Sequence, residues 1–146
     1  MKQTQFTASQ FTPTKYSTAE DKAKFANHFV RFVEQDFKPT LFPNWFYSRL
    51  SNCFGHIAHY SREGFYGTWF AGDCRQRDFL RRALKHPSYG SPEFTYSDVE
   101  RELRRWIAVS GKLAQLDAKI AASVELSERA ELARLKAKYE PQREAA

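Results

Sequence analysis

Aromatic residues are concentrated in one third of this chain. Residues 25–70 contain fourteen Phe, Tyr and Trp side chains, whereas residues 97–146 contain only Trp106 and Tyr139. Because a large aromatic side chain buries about 150–250 Å² when it is enclosed, the first region can supply most of a hydrophobic core. The sequence therefore predicts an aromatic-rich body that is followed by a charged tail rich in Ala and Leu.

Size and composition indicate a soluble globular protein. A chain of 146 residues, of which 27% are charged and 42% hydrophobic, fits one folded domain. No apolar run reaches the roughly 20 residues that a membrane-spanning helix needs, and the polar N-terminal segment does not resemble a secretory signal. Two cysteines are too few for a disulfide framework. We therefore expect a cytoplasmic protein with no membrane partner.

Helical spacing of apolar residues predicts a body of three helices within residues 17–92. The first helix follows Ser17-Thr18-Ala19-Glu20, which fits a capping box, and should end at Pro39. The second starts at Pro43, because proline suits the first turn of a helix. The third runs from Asp73 to Lys85. The apolar face of the second helix consists of Phe46, Leu50, Cys53, Phe54 and Ile57.

Two segments lack a regular pattern. Residues 1–16 predict an extended arm, whose spaced aromatic residues either dock on the body or pair as a short strand. Residues 64–72 contain three glycines and four aromatic residues. This composition favours a loop or irregular turn, with a small β hairpin to the arm as the alternative.

Residues 93–146 predict a C-terminal helical hairpin or coiled-coil element. A long helix should begin at Ser97, which is a good cap, and a turn is predicted at residues 123–127. The two helices either fold back as an antiparallel hairpin or form one continuous helix that pairs with a second chain. Monomer and dimer therefore both stay open. The predicted fold class is all-α: three aromatic-rich helices and then a long C-terminal helical hairpin, with a small β element near residues 64–72 as a possibility.

Cys53, His56, His59 and Cys74 are residue types that bind zinc. On one helix, however, His59 is rotated well away from Cys53 and His56, and a second close pair of ligands is missing. A Cys53–His56 nucleophile pair would need an exposed thiol and a third orienting group, yet Cys53 lies on the apolar face. We therefore predict packed side chains, with no metal, cofactor or enzymatic activity.

A basic cluster dominates the charge of the chain. It consists of Arg75, Arg77, Arg81, Arg82 and Lys85. Asp78 is the only acidic residue between positions 75 and 85, so this segment holds four of the six excess positive charges. Such a helix can neutralise phosphates, and Tyr66 or Trp69 nearby can stack on unpaired bases. Arg101 and Arg105 form a second basic face, which would join the cluster if the two helices lie side by side.

These features predict a non-enzymatic binding protein for nucleic acid or a nucleoprotein complex. An acidic protein surface is the other anionic partner that the basic cluster suits. Inhibitors of host defence complexes from phages or mobile elements, such as anti-CRISPR proteins, are one context for this hypothesis, which the residues themselves do not indicate. The alternative function is a helical adaptor that acts through its coiled-coil-like tail. The arginines would need no partner if they form a solvated face paired with nearby acidic residues.

Overall fold

The computed structural model describes residues 6–53, 61–85 and 90–140, and in these ranges the chain contains helices and no strand. The all-α prediction is therefore confirmed. No helix within these ranges combines the length and apolar character needed to cross a bilayer. Short 3₁₀ helices occupy Ala8–Gln10 and Pro39–Leu41. The α-helices are α1 (Ala19–Glu34), α2 (Asn44–Cys53), α3 (Arg62–Trp69), α4 (Asp73–Lys85), α5 (Ser97–Ser110) and α6 (Lys112–Tyr139).

One hydrophobic core joins the aromatic body to the C-terminal helices. Phe29, which the spacing places inside, is 0% exposed, and its neighbour Phe25 is equally enclosed. Most neighbouring rings meet in tilted or edge-on arrangements, as in the pair Phe32–Phe70 with centroids 5.0 Å apart. The contributions from α5 and α6 are Val99, Leu103, Ile107 and Leu116.

The cap of α1 lies one residue later than predicted. Thr18 Oγ1 accepts a hydrogen bond from the Asp21 amide at 3.0 Å, and Asp21 Oδ2 accepts one from the Thr18 amide at 3.1 Å. Ser17 is instead buried, and its hydroxyl accepts a hydrogen bond from the Tyr96 hydroxyl at 3.0 Å. The predicted cap was wrong because Ser17 and Thr18 have similar capping chemistry, and the tertiary contact to Tyr96 occupies Ser17.

The C-terminus of α1 is also corrected by the structure. The helix ends at Glu34, well before Pro39, because Asp36 and Phe37 take positive φ angles of 62° and 59°. The Phe37 amide donates to the Phe32 carbonyl at 2.8 Å, and their rings pack with centroids 5.3 Å apart. This arrangement is a Schellman-type end with its hydrophobic contact. A left-handed turn, and not proline, terminates the helix.

Residues 62–69 form a helix, so the predicted loop was wrong and the hairpin alternative is not found in the described residues. The Ser61 hydroxyl accepts a hydrogen bond from the Gly64 amide at 3.1 Å and caps α3. Phe65 is fully buried, and Phe70, just beyond the helix, is nearly so. Enclosing these rings outweighs the roughly 1 kcal/mol that glycine costs inside a helix.

The break between the C-terminal helices lies at Gly111 and not at residues 123–127, which are helical. Gly111 has φ 80°, the left-handed conformation that glycine adopts without strain. The Ser110 hydroxyl donates to the Ile107 carbonyl and accepts from the Lys112 amide, both at 3.1 Å. Ser97 begins α5 but does not cap it, since its hydroxyl donates to the Gly90 carbonyl at 3.1 Å.

The described part of the N-terminal arm, residues 6–16, docks on the body, which is one of the two arrangements predicted for the arm. Phe6 and Phe11 are both buried in the core. The Phe6 amide donates to Asn27 Oδ1 at 2.8 Å, and Asn27 Nδ2 donates back to the Phe6 carbonyl at 2.9 Å. The Asn27 side chain therefore binds the arm as a backbone partner would, although Tyr16 stays exposed.

Candidate functional site

The basic cluster lies on α4, whose predicted bounds are confirmed. Gly72, with φ 110°, precedes the helix, and Asp73 lies in the first turn where the helix dipole favours negative charge. Arg82 and Lys85 lie in the last turn, where the helix dipole favours positive charge. The buried face of α4 consists of Gln76, Phe79, Leu80 and Ala83.

Gln76 and Phe79 hold α4 against the aromatic body. Gln76 Nε2 donates a buried hydrogen bond to the Phe70 carbonyl at 2.9 Å. Phe79 packs against Phe70, with centroids 4.8 Å apart, and against Trp69 at 6.0 Å. These contacts fix the position of α4, and the outer face of the helix exposes most of the basic cluster to solvent.

Arg77 and Arg81 form one row of the basic cluster, and this row contacts an acidic residue of α6. Asp117 lies 3.4 Å from Arg81 and 4.0 Å from Arg77, which also lies 3.4 Å from Asp78. Solvent-exposed ion pairs of this kind contribute about 0–1 kcal/mol. The charge of this row is thus partly balanced, but its pairs can exchange with another anion.

Arg82 and Lys85 form the other row of the basic cluster, which borders an open groove beside Trp69. The Arg82 guanidinium lies over the Trp69 ring, 5.3 Å from its centroid, which is a cation–π arrangement. Lys85 is exposed one turn further along. The groove has a volume of about 460 Å³ and is lined by Trp69, Asp78, Arg81, Arg82 and Lys85. We call this feature the Trp69 groove.

Four predicted site residues therefore line one surface, and two others have different neighbours. Tyr66 donates its hydroxyl proton to the Phe37 carbonyl and packs on Phe42, with centroids 5.4 Å apart. Arg75 is exposed, and its Nη1 donates to the Thr68 carbonyl at 3.2 Å. Neither Tyr66 nor Arg75 is among the residues that line the Trp69 groove.

The second basic face belongs to α5, which packs against α4. Arg104 Nε donates to the Ala83 carbonyl of α4 at 3.2 Å. Arg101 and Arg105 are exposed and four residues apart, so they share a side of α5. Arg105 also lies 3.1 Å from Glu102. The two helices are neighbours, as the predicted junction requires, but Arg101 and Arg105 do not line the Trp69 groove.

The candidate zinc ligands are not assembled within the described residues. Cys53 is buried and Cys74 is exposed, and both are free thiols. His56 and His59 lie outside the described residues. Burial raises the pKa of the Cys53 thiol well above its ordinary value of 9.0. Because the thiolate is the reactive form, burial makes Cys53 a poor nucleophile near neutral pH.

Asp117 is the neighbour of the site that sequence reasoning missed. It lies on α6, more than thirty residues after Arg81 along the chain, and only the packing of α6 against α4 brings it to the cluster. No local pattern signals such a contact.

Compared with known proteins, the chain matched no protein-family model, no curated protein and no solved structure.

Proposed function

We propose that this protein is a non-enzymatic binding protein that holds unpaired nucleic acid, free or within a nucleoprotein complex, in the Trp69 groove. The observation that carries the proposal is the arrangement of Arg81, Arg82 and Lys85 around the groove, with the Arg82 guanidinium over the Trp69 ring. Cations bind the phosphate backbone, while aromatic and guanidinium planes are surfaces on which exposed bases stack.

The chemistry favours a single strand over a duplex. Bases in a duplex are stacked on one another, so the planar surface formed by Trp69 and Arg82 has nothing to contact there. A single strand can place one base on that surface and its neighbouring phosphates on Arg81 and Lys85. Duplex DNA would use the cations alone.

The acidic neighbours do not block this role. Asp117 and Asp78 contact Arg81 and Arg77 at 3.4 Å or more, and all these contacts reach the surface. Salt and phosphate compete effectively with such exposed pairs. The groove itself is lined by three cations, Arg81, Arg82 and Lys85, against Asp78, so an excess of positive charge faces it.

The test is binding of a labelled oligo-dT strand and of a duplex of equal length, measured by fluorescence anisotropy. Two phosphate contacts to a single strand, at Arg81 and Lys85, predict a roughly 7-fold loss of affinity between about 50 and 200 mM salt. Replacing Trp69 by Leu should weaken the single strand by about 1–3 kcal/mol and leave the duplex nearly unchanged. Absent binding, or binding that does not respond to salt, would contradict the proposal.

A charge-matched pair of variants separates the groove from net charge. Arg82→Glu with Lys85→Glu should abolish binding, while the unfolding temperature changes little because both residues are exposed. Lys15→Glu with Lys38→Glu makes the same change in net charge at exposed positions elsewhere. Equal loss in both double variants would mean that the strand binds by overall charge and not in the groove.

A further inference from the structure

Asp117 of α6 contacts the basic cluster from outside α4. Its Oδ1 lies 3.4 Å from Arg81 Nη2 and 4.0 Å from Arg77 Nη1. In the ranges that the structure describes, it is the only carboxylate beyond α4 within ion-pair distance of the cluster. Leu116, the residue before it, is fully buried, and Lys119 pairs with the first residue of α4 at 3.5 Å. The packing of α6 on α4 therefore holds this carboxylate beside both arginines.

The ion pairs of the basic cluster are concentrated in one of its two rows. Arg77 and Arg81 both contact the α6 carboxylate, and Arg77 also pairs with a carboxylate of its own helix at 3.4 Å. Arg82 and Lys85 have no carboxylate within ion-pair distance among the described residues. These two residues line the Trp69 groove, and the Arg82 guanidinium lies over its aromatic ring. The unpaired cations of the groove are thus those of the row that includes the stacking surface.

A duplex and a single strand depend differently on the paired row. Arg77 is not among the residues that line the groove, so a strand held there meets only the Arg81 end of the row. A duplex is not held in the groove, and its phosphates can meet both arginines, which lie about one helical turn apart. The duplex binds through phosphates alone, whereas the strand also gains affinity from a base stacked on Trp69. Neutralising the row therefore weakens the duplex more than the strand.

We propose that Asp117 determines the specificity of the Trp69 groove for a single strand, an inference that rests on the function proposed above. By pairing with Arg77 and Arg81, its carboxylate lowers the affinity of α4 for phosphates that arrive without a stacked base. A binding site can become specific by weakening the contacts of a competitor as well as by strengthening its own. Tight binding then requires an exposed base on the Trp69 ring, which a duplex does not offer.

The test is the variant Asp117→Asn, which removes the charge and nearly preserves the shape of the side chain. Binding of labelled oligo-dT and of a duplex of equal length is measured by fluorescence anisotropy at low salt, where charges are weakly screened. We expect the affinity for the duplex to rise about fivefold, the size that an exposed ion pair allows. The affinity for the strand should rise less, so the ratio of strand to duplex affinity should fall by about twofold or more. Both increases should shrink at high salt.

Two controls separate the ion pairs from net charge. Glu128→Gln makes the same change in net charge in the part of α6 that projects beyond the body, where every residue from 121 to 139 is exposed. It should leave the ratio of strand to duplex affinity unchanged. In a background with Arg77→Gln and Arg81→Gln, Asp117→Asn should also leave the ratio unchanged, because the arginines that it would release are absent. A change that persists in that background, or an equal change in Glu128→Gln, would overturn the proposal.

A failure of the groove and a failure of Asp117 give different results. Absent binding of the strand to the native protein would contradict the groove itself. A native protein that prefers the strand, together with an unchanged ratio in Asp117→Asn, would overturn only the role of Asp117. The same holds if the ratio falls because the strand binds more weakly, since Asp117 would then position Arg81 for binding. Circular dichroism and the unfolding temperature verify that each variant is folded, and both should change little because the pair is exposed.

Discussion

Lys22 of α1 and Asp98 of α5 form an ion pair enclosed by the protein, with Lys22 Nζ 2.9 Å from Asp98 Oδ1 and the lysine 0% exposed. The ammonium group also donates to the carbonyls of Pro92 and Thr95, both at 2.9 Å, so all its protons have acceptors. Asp98 Oδ2 accepts from the Thr12 amide at 2.9 Å. One charge pair thus connects the N-terminal arm, α1, the segment before α5, and α5.

Replacing Lys22 by Met should destabilise the fold by about 3–5 kcal/mol, because it leaves the Asp98 carboxylate buried without its cation. The measurement is the free energy of unfolding in urea. Lys24→Met is the matched control, since Lys24 is exposed on the same helix and its ammonium lies over the Trp45 ring, 4.8 Å from the centroid. That loss should stay within about 1 kcal/mol. Equal losses in the two variants would show that the buried pair contributes little.

Phe29→Ala should cost about 3–5 kcal/mol, because a fully buried ring is removed and the surrounding helices cannot close the cavity. Phe94→Ala provides the comparison, since Phe94 is 77% exposed and a surface change of this kind should stay within about 0.5 kcal/mol. Thermal or urea unfolding of both variants distinguishes them. A negligible shift for Phe29→Ala would be incompatible with an interior ring.

The left-handed end of α1 predicts a difference between two substitutions at Asp36. Asp36→Gly and Asp36→Ala both remove its ion pair with Lys112 at 2.7 Å, but only alanine must adopt φ near 62° at a steric cost. Alanine should therefore be less stable than glycine by about 1–2 kcal/mol. Because both variants lack the ion pair, the difference between their unfolding midpoints reports the cost of the left-handed backbone at position 36. Identical midpoints would mean that the turn relaxes around the new side chain.

His28 predicts how stability changes between neutral and mildly acidic pH. Its Nε2 donates to the Leu41 carbonyl at 2.8 Å, and burial lowers the pKa of His28 below its ordinary value of 6.5. Below pH 6.5 the unfolded chain takes up a proton that the folded chain resists. The contribution of His28 is thus complete above that pH and is lost as the pH falls through the lowered pKa.

The measurement for His28 is the free energy of unfolding at about pH 7.5 and pH 5.5, above and below the ordinary pKa of histidine. His28→Gln keeps a side-chain donor but cannot titrate, so its loss of stability on acidification should be smaller than that of the native protein. The difference between the two proteins isolates His28 from the other three histidines. Identical losses would show that His28 does not couple folding to pH.

Some elements could be predicted because their local signals agree. The bounds of α4 follow from Gly72, Asp73 and the apolar spacing that ends at Leu84. α3 could not be predicted this way, because glycines at two positions within it lower its helix propensity. The Ser61 cap and the burial of Phe65 favour the helix there, and burial depends on which neighbours surround the ring.

The candidate site, like the helices, could be predicted from the sequence only in part. The basic cluster is visible from the composition of residues 75–85, but the position of Trp69 under Arg82, and of Asp117 beside Arg81, depends on how α3 and α6 pack against α4. Contacts between distant parts of the chain leave no periodic signal in the sequence. The groove therefore becomes visible only in the folded chain.

The sequence by itself determined that the chain is all-α, that phenylalanines such as Phe25 and Phe29 lie in the core, and that most of the excess charge lies within residues 75–85, because spacing and composition are properties of short segments. Only the tertiary structure decided the enclosure of Lys22, the break at Gly111 and the projection of α6. Local preferences differ by less than about 1 kcal/mol per residue, whereas burying a ring or an ion pair changes stability by several kcal/mol. Where the two conflict, packing decides.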